Sequence, residues 1–438
     1  MLSNDHANTT HIPAPPPGHL PDHSDLAVQT FRLPTTQAVV GEHNLTRLPA
    51  DYRPFTDQYF LNTGAILQRE QLNPWVKAQV VIRKGPGIVG GLAEAVKILK
   101  TYSELASHGG IVKALQDGAN YESGDAVMTI EGLIQDFVEL ETMYLGVISA
   151  ESTRFSDGTD RIDPIEAERR MRAVHQAAEG RPIIYMGARH WSFRQDAEIS
   201  AAAFRGGASS CSTQIGADSI GTNAVGTIPH VLENIMAWRY SRNCAVEEAT
   251  KAFDRCMEPT FKRIALIDYN NREIDDALAT ARALNGALYG VRVDTCGENI
   301  AQGAALSPFS TAALELKNRG FEIPSLEDRD AKYWYGNGVT ITGVYALRSA
   351  LDQAGFNNVK IVLSSGFGDP EKVAAFLRAE RLLKTVLVDS FGVGGVFDSR
   401  AAKMDIVAVG DSALDLRAIS KAGRIERVNP ELRVVELG

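Results

Sequence analysis

The strongest constraint on this chain is a rhythm that begins after residue 160. "PIIYMG" (182–187), "GASSCST" (207–213), "RIALIDYN" (263–270), "GVRVDT" (290–295), "VKIVLSSG" (359–366), "KTVLVDSFGVGG" (384–395) and "DIVAV" (405–409) read as short apolar strands. Between them, helical spacing covers 165–178, 194–204, a segment from Val231, 272–284 and 370–379. Apolar strands that alternate with amphipathic helices belong in a parallel sheet whose faces the helices cover. About 250 residues of this alternation suit a closed or nearly closed β/α barrel. The alternative is an open doubly wound sheet, which no GxGxxG after the first strand supports.

The preceding residues follow another pattern. A helix is predicted over 55–68, a strand over 76–84, a helix over 91–107 and a strand over 124–132. A long helix follows to about 152, with Ile134, Phe137, Leu140, Met143, Tyr144 and Val147 at helical spacing. The expected organisation is an N-terminal α+β domain over 51–155, joined by the C-terminal 411–438, beside an irregular TIM-like β/α barrel over 156–410. Residues 1–50 hold 7 of the 18 prolines and 5 of the 9 histidines, and are expected to form a mobile arm. Proline breaks any regular ligand spacing among those histidines, so a solvated tail is preferred to a metal site.

Composition narrows the function. With 45 basic and 54 acidic side chains the formal charge is −9, against a nucleic-acid binder that relies on a basic surface. No apolar run reaches the roughly 18 residues that span a bilayer, and no signal peptide opens the chain, so no membrane partner is expected. Cys211, Cys244, Cys256 and Cys296 form no CxxC pair. Reduced thiols in the cytoplasm are the expected state.

Barrel chemistry gathers where strands end. Those positions carry Arg189 and His190, Ser212 and Thr213, His230, Asp268 and Asn270, Arg292 and Asp294, Ser364, Ser365 and Gly366, then Gly392, Gly394 and Gly395. Glycine lets backbone approach closely and aim N–H groups at phosphate oxygens, so the late glycine-rich ends suit a phosphate. Each residue also has a plainer reading. His230 is then a turn histidine after Pro229, Asp294 a helix cap, and Ser212 and Thr213 turn formers. The arginines become surface ion pairs. Tyr59 becomes a core aromatic on its helix.

These segments also carry a resemblance. "FTDQYFLN" (55–62), "LETMYLGVIS" (140–149), "GARH" (187–190), "GTIPH" (226–230), "GVRVDT" (290–295), "SSGF" (364–367) and "VDSFGVGG" (388–395) together resemble the nicotinate phosphoribosyltransferases of the type II phosphoribosyltransferase group. The likeness covers most of 55–410, and "GTIPH" and "DSFGVGG" are its specific pieces. It implies that nicotinate displaces pyrophosphate from phosphoribosyl pyrophosphate, giving nicotinate mononucleotide for NAD salvage. It further implies Mg²⁺ as cofactor, ATP as co-substrate and a homodimer with shared active sites.

By the same resemblance, His230 corresponds to a histidine phosphorylated by ATP, and Asp294 lies near the ribose and the pyrophosphate. Arg189 and Arg292 face the nicotinate carboxylate and the phosphates, as planar guanidinium forks suit. Tyr59 stacks on the pyridine ring from a second subunit. Ser212, Thr213, Asp268 and Ser365 join the pocket, while Gly366, Gly392, Gly394 and Gly395 hold the 5′-phosphate. The metal ligands stay unassigned, because many relatives read Asp-Ser-Gly-Asp where this chain has Asp294-Thr295-Cys296-Gly297-Glu298. Val231 also stands where many relatives have Ser. The competing readings are a nicotinamide or quinolinate phosphoribosyltransferase, and a degenerate paralogue that binds a phosphoribosyl ligand without turnover.

Overall fold

The segment Trp75–Ile82 is rich in β-branched side chains and buried along most of its length. In the computed structural model, which describes residues 47–437, it is an inner strand of a six-stranded sheet. Its antiparallel neighbours are Ala126–Leu133 on one side and Ala402–Gly410 on the other. The short strands Ile111–Ala114, Arg433–Val435 and Arg417–Ala418 complete the sheet. Helices Gln58–Arg69, Leu92–Tyr102 and Glu141–Asp157 supply Phe60, Ile66, Leu67, Leu99, Met143 and Ile148 to its core. At roughly 1.5–3 kcal/mol per fully buried large apolar side chain, this core stabilises the half that holds the helix at 141–157 in place.

That helix is buried on nearly every side and packs on the turn Ala188–His190. Gly146 permits the approach, since a Cβ there would lie 2.5 Å from the Trp191 carbonyl oxygen. Sequence periodicity starts this helix near 133. The chain instead makes two 3₁₀ turns, Ile134–Asp136 and Val138–Leu140, before the α-helix begins at Glu141.

The second sheet is parallel, with strands Ile183–Tyr185, Ser210–Cys211, Ile264–Leu266, Gly290–Val293, Lys360–Leu363 and Ser390–Val393. The first strand in sequence pairs with the last, Ile183 opposite Phe391. The spatial order is second, first, sixth, fifth, fourth, third. That is a circle of strands in chain order cut once, between the second and third. The intervening segment carries helices His230–Arg239 and Ala245–Cys256. A barrel with one unpaired seam accounts for this order, because a doubly wound sheet does not pair its first strand with its last.

One expected boundary moves. The strand at 402–410 lies in the antiparallel sheet and not with the parallel strands, paired along its length with Trp75–Ile82. The strands at 417–418 and 433–435 lie in that same sheet. The stretch between the fourth and fifth parallel strands, for which the sequence suggested no elements, holds helices Thr311–Asn318, Ala331–Trp334 and Ile341–Gln353. The expected arm lies outside the described residues up to position 46. Among the described residues no helix is long and apolar enough to cross a membrane. All four cysteines are free thiols.

Candidate active site

The C-terminal ends of the parallel strands form a rim. After the first strand, the 3₁₀ turn at 188–190 presents Arg189. Its Nη1 donates to Glu141 Oε1 at 2.9 Å, and its Nε lies 3.3 Å from Asp57 Oδ2. The guanidinium carbon stands 5.6 Å from the ring centroids of both Tyr59 and Phe60. Burial pushes the Glu141 carboxyl up to about 8 despite Arg189. Tyr59 therefore meets Arg189 of its own chain, where the resemblance implied a ring donated by a second subunit. Its hydroxyl is directed at Asp57 Oδ2, 3.5 Å away.

The second strand end is structural in its contacts. The Ser212 carbonyl accepts from Gln58 N at 2.7 Å, which ties the helix at 58–69 to the barrel. The Thr213 hydroxyl donates to the buried Asp196 and accepts from Gly216 N, capping the helix Gln214–Ala217. Its hydroxyl is thus occupied within the wall.

Three side chains converge from the third and fourth strand ends and the helix at 230–239. His230 opens that helix, and its Nε2 lies 2.9 Å from Asp268 Oδ1. One ligand atom from each of His230, Asp268 and Asp294 falls within 4.8 Å of the others. Asp294 Oδ1 accepts from Ser364 Oγ at 2.7 Å, and its Oδ2 stands 3.5 Å from Arg292 Nη2. Burial pushes the Asp294 carboxyl up, but Arg292, Lys421 and His230 together hold it below its ordinary value. Arg292 Nε is buried and has no hydrogen-bond partner among the described residues.

The fifth and sixth strand ends supply two touching turns. Ser365 and Gly366 both adopt left-handed backbone, φ +69° and +86°. A Cβ at Gly368 would lie 2.3 Å from the Gly395 carbonyl oxygen. A Cβ at Gly394 would lie 3.1 Å from both the Met186 carbonyl oxygen and His190 Cε1, and one at Gly392 3.0 Å from Met186 Sδ. The two turns thus meet at Gly368, where a side chain is missing, while Gly392 and Gly394 press against Met186 and His190. Lys372 Nζ donates to the Ser365 carbonyl at 3.0 Å, and burial pushes its ammonium down to about 8.

Sequence reasoning missed several neighbours. Lys421 pairs with Asp268 Oδ2. Lys403, on the strand at 402–410, is pushed down to about 8 by burial and by Arg83, within the field of Asp294 and Arg189. Glu233, three residues along the helix from His230, is fully buried, its two carboxyl oxygens have no hydrogen-bond partner among the described residues, and burial pushes its carboxyl well up. Helical spacing from His230 points to Glu233, but no local pattern marks the lysines. The displaced carboxylate Glu298 does not join Asp294. It is half exposed and lies 3.3 Å from Arg83.

The His230–Asp268–Asp294 group makes a poor seat for Mg²⁺. Mg²⁺ takes oxygen ligands in an octahedron. Here one of the three donors is a ring nitrogen, and Asp268 already holds a lysine ammonium. The residues do not fit a resident Mg²⁺.

The site joins an aromatic–arginine corner, a carboxylate–histidine cluster and a pair of glycine turns on one barrel rim. Residues 57–152 match the family described as quinolinate phosphoribosyl transferase, N-terminal domain. The fold is shared with solved nicotinate phosphoribosyltransferases. That of Porphyromonas gingivalis superposes with a TM-score of 0.56 at 13% identity, covering 87% of this chain and 95% of that one. That of Vibrio cholerae superposes with a TM-score of 0.54 at 14% identity, covering 84% and 88%. No curated protein sequence matches the chain.

Proposed function

We propose that this chain is a nicotinate phosphoribosyltransferase. The observation that carries the proposal is the convergence, on one rim, of the Tyr59–Arg189 corner, the Arg292–Asp294 pair and the Ser365–Gly366 and Gly392–Gly395 turns. In the reaction, the pyridine nitrogen of nicotinate forms a bond to C1 of the ribose. The bond from that carbon to pyrophosphate breaks, and pyrophosphate leaves with the electron pair. The ribosyl centre is most cationic midway, so fixed charge and orientation supply the acceleration.

The Tyr59 and Phe60 rings and the Arg189 fork suit a small aromatic acid. Asp294 suits the positive charge that builds on the ribose, and Arg292 Nε offers a buried, unpaired donor to an anion. The two touching turns suit the 5′-phosphate, with Lys372 beside them as a further cation. Mg²⁺ in this reading arrives as the counter-ion of pyrophosphate.

ATP coupling belongs to the same proposal. His230 begins a helix of 10 residues, whose N-terminal N–H groups favour an anion. Its Nε2 faces an acceptor-only carboxylate, so Nδ1 is the ring's free lone pair for a phosphoryl group. The resemblance alone supports a homodimer, which light scattering of the purified protein tests.

The activity is tested by incubating the purified chain with phosphoribosyl pyrophosphate, Mg²⁺ and one of nicotinate, nicotinamide or quinolinate, with and without ATP. Nicotinate mononucleotide from nicotinate alone is the expected result. Preference for another ring, or binding without product, would replace this reading.

A further inference from the structure

Lys421 belongs to the C-terminal segment that follows the strand at 417–418, and nothing in its local sequence marks it. Its side chain is only 5% exposed, and it pairs with the carboxylate of Asp268, itself fully buried. The turn around it is fastened to the barrel on both sides. Ala422 N donates to the Tyr269 carbonyl at 2.8 Å, and Asn299 Nδ2 donates to the Ala422 carbonyl at 2.9 Å. Gly423, at φ +80°, passes so close that a Cβ would lie 2.3 Å from Asn299 Oδ1. A buried ammonium is costly unless paired, so a turn pinned in this way to deliver one calls for a function.

The carboxylate it meets has a second donor. Asp268 Oδ1 faces His230 Nε2 at 2.9 Å while Oδ2 takes the lysine. An ionised carboxylate only accepts, so the ring proton sits on Nε2. We infer that Lys421 is a positioning residue for His230: it locks the Asp268 carboxylate and shares its charge, so that the ring stays neutral, with Nε2–H held and the Nδ1 lone pair free. This rests on the phosphohistidine reading above.

The groups facing His230 are Asp268, Lys421 and Asp294, with the buried Glu233 on the same helix. Without the lysine, Asp268 and Asp294 would favour an imidazolium, which has no lone pair to receive a phosphoryl group. With it, Nδ1 forms the bond to the γ-phosphorus of ATP. The bond from phosphorus to ADP breaks, and ADP takes the electron pair. Asp268 meets the positive charge that the ring gains.

The test uses the full chain labelled with ¹⁵N-histidine, with the His230 signals identified by their loss in His230→Asn. Wild type is expected to show a neutral ring protonated at Nε2. Lys421→Met is expected to raise the proton affinity of His230 at least tenfold and to remove ATP stimulation, and Lys421→Arg to restore both substantially. A folded Lys421→Met whose His230 tautomer and titration match wild type would overturn the inference. If that variant does not fold, Lys421→Gln is read in the same way. The titration needs no turnover, so an inactive chain whose His230 shifts would reject the transferase reading and keep the lysine's role. An active chain whose His230 does not shift would do the reverse.

Discussion

Glu141 should make the stability of this protein fall as pH rises through neutrality. Its side chain is 3% exposed and its nearest partner is Arg189 Nη1 at 2.9 Å. Burial outweighs that partner and lifts the carboxyl from about 4.5 to about 8. Between those values the native state keeps a proton that the unfolded chain has released. The stability this contributes is full below about 4.5 and is lost as pH rises to about 8. At about 1.4 kcal/mol per pH unit, the loss from pH 5.5 to 8 is roughly 3 kcal/mol. Glu141→Gln removes the titration while its amide oxygen still accepts from Arg189. Urea unfolding of both proteins at pH 5.5, 7 and 8 isolates the effect, because Asp196, Asp276 and other titrating groups cancel in the difference. The stability of the variant relative to wild type should climb by about 3 kcal/mol across that range. Parallel pH profiles would show that Arg189 keeps Glu141 ionised and that the argument from burial fails.

His230→Ala should abolish ATP stimulation of nucleotide formation; stimulation that persists in the variant excludes His230 as the phosphoryl acceptor. Gly394→Val adds methyls where even a Cβ would lie 3.1 Å from the Met186 carbonyl oxygen, so it should raise the KM for phosphoribosyl pyrophosphate severalfold in steady-state assays. An unchanged KM in a folded variant would remove that turn from the phosphate site. Gly146→Val would drive its side chain into the Trp191 carbonyl oxygen, 2.5 Å from the Cβ position. It should cost about 1–3 kcal/mol in denaturant unfolding and raise the KM for nicotinate by displacing the turn that carries Arg189.

Local sequence determined the elements wherever burial and periodicity agree. The helix at 164–177 and the strands at 290–293 and 360–363 are apolar in the pattern that their covered faces require, and they fall within or close to their expected spans. The strand-end rule likewise put Arg189, Asp268, Arg292, Asp294 and the glycine turns at or near the ends of parallel strands, where the structure has them, because in a barrel the strand's direction decides which loops share a rim, whereas His230 opens a helix instead.

What sequence could not decide was partnership. The strand at 402–410 looks like one more barrel strand, but its neighbour is Trp75–Ile82, more than 300 residues earlier in the chain. Apolar alternation reports which faces are buried and not which strand lies alongside. No local pattern marks Lys421, and Glu141 enters the sequence only as one letter of "LETMYLGVIS". Only the packing of the C-terminal turn on the barrel, and of the helix at 141–157 on the turn at 188–190, takes these charges out of water. Burial changes their chemistry, and burial is set by contacts between residues far apart in the chain.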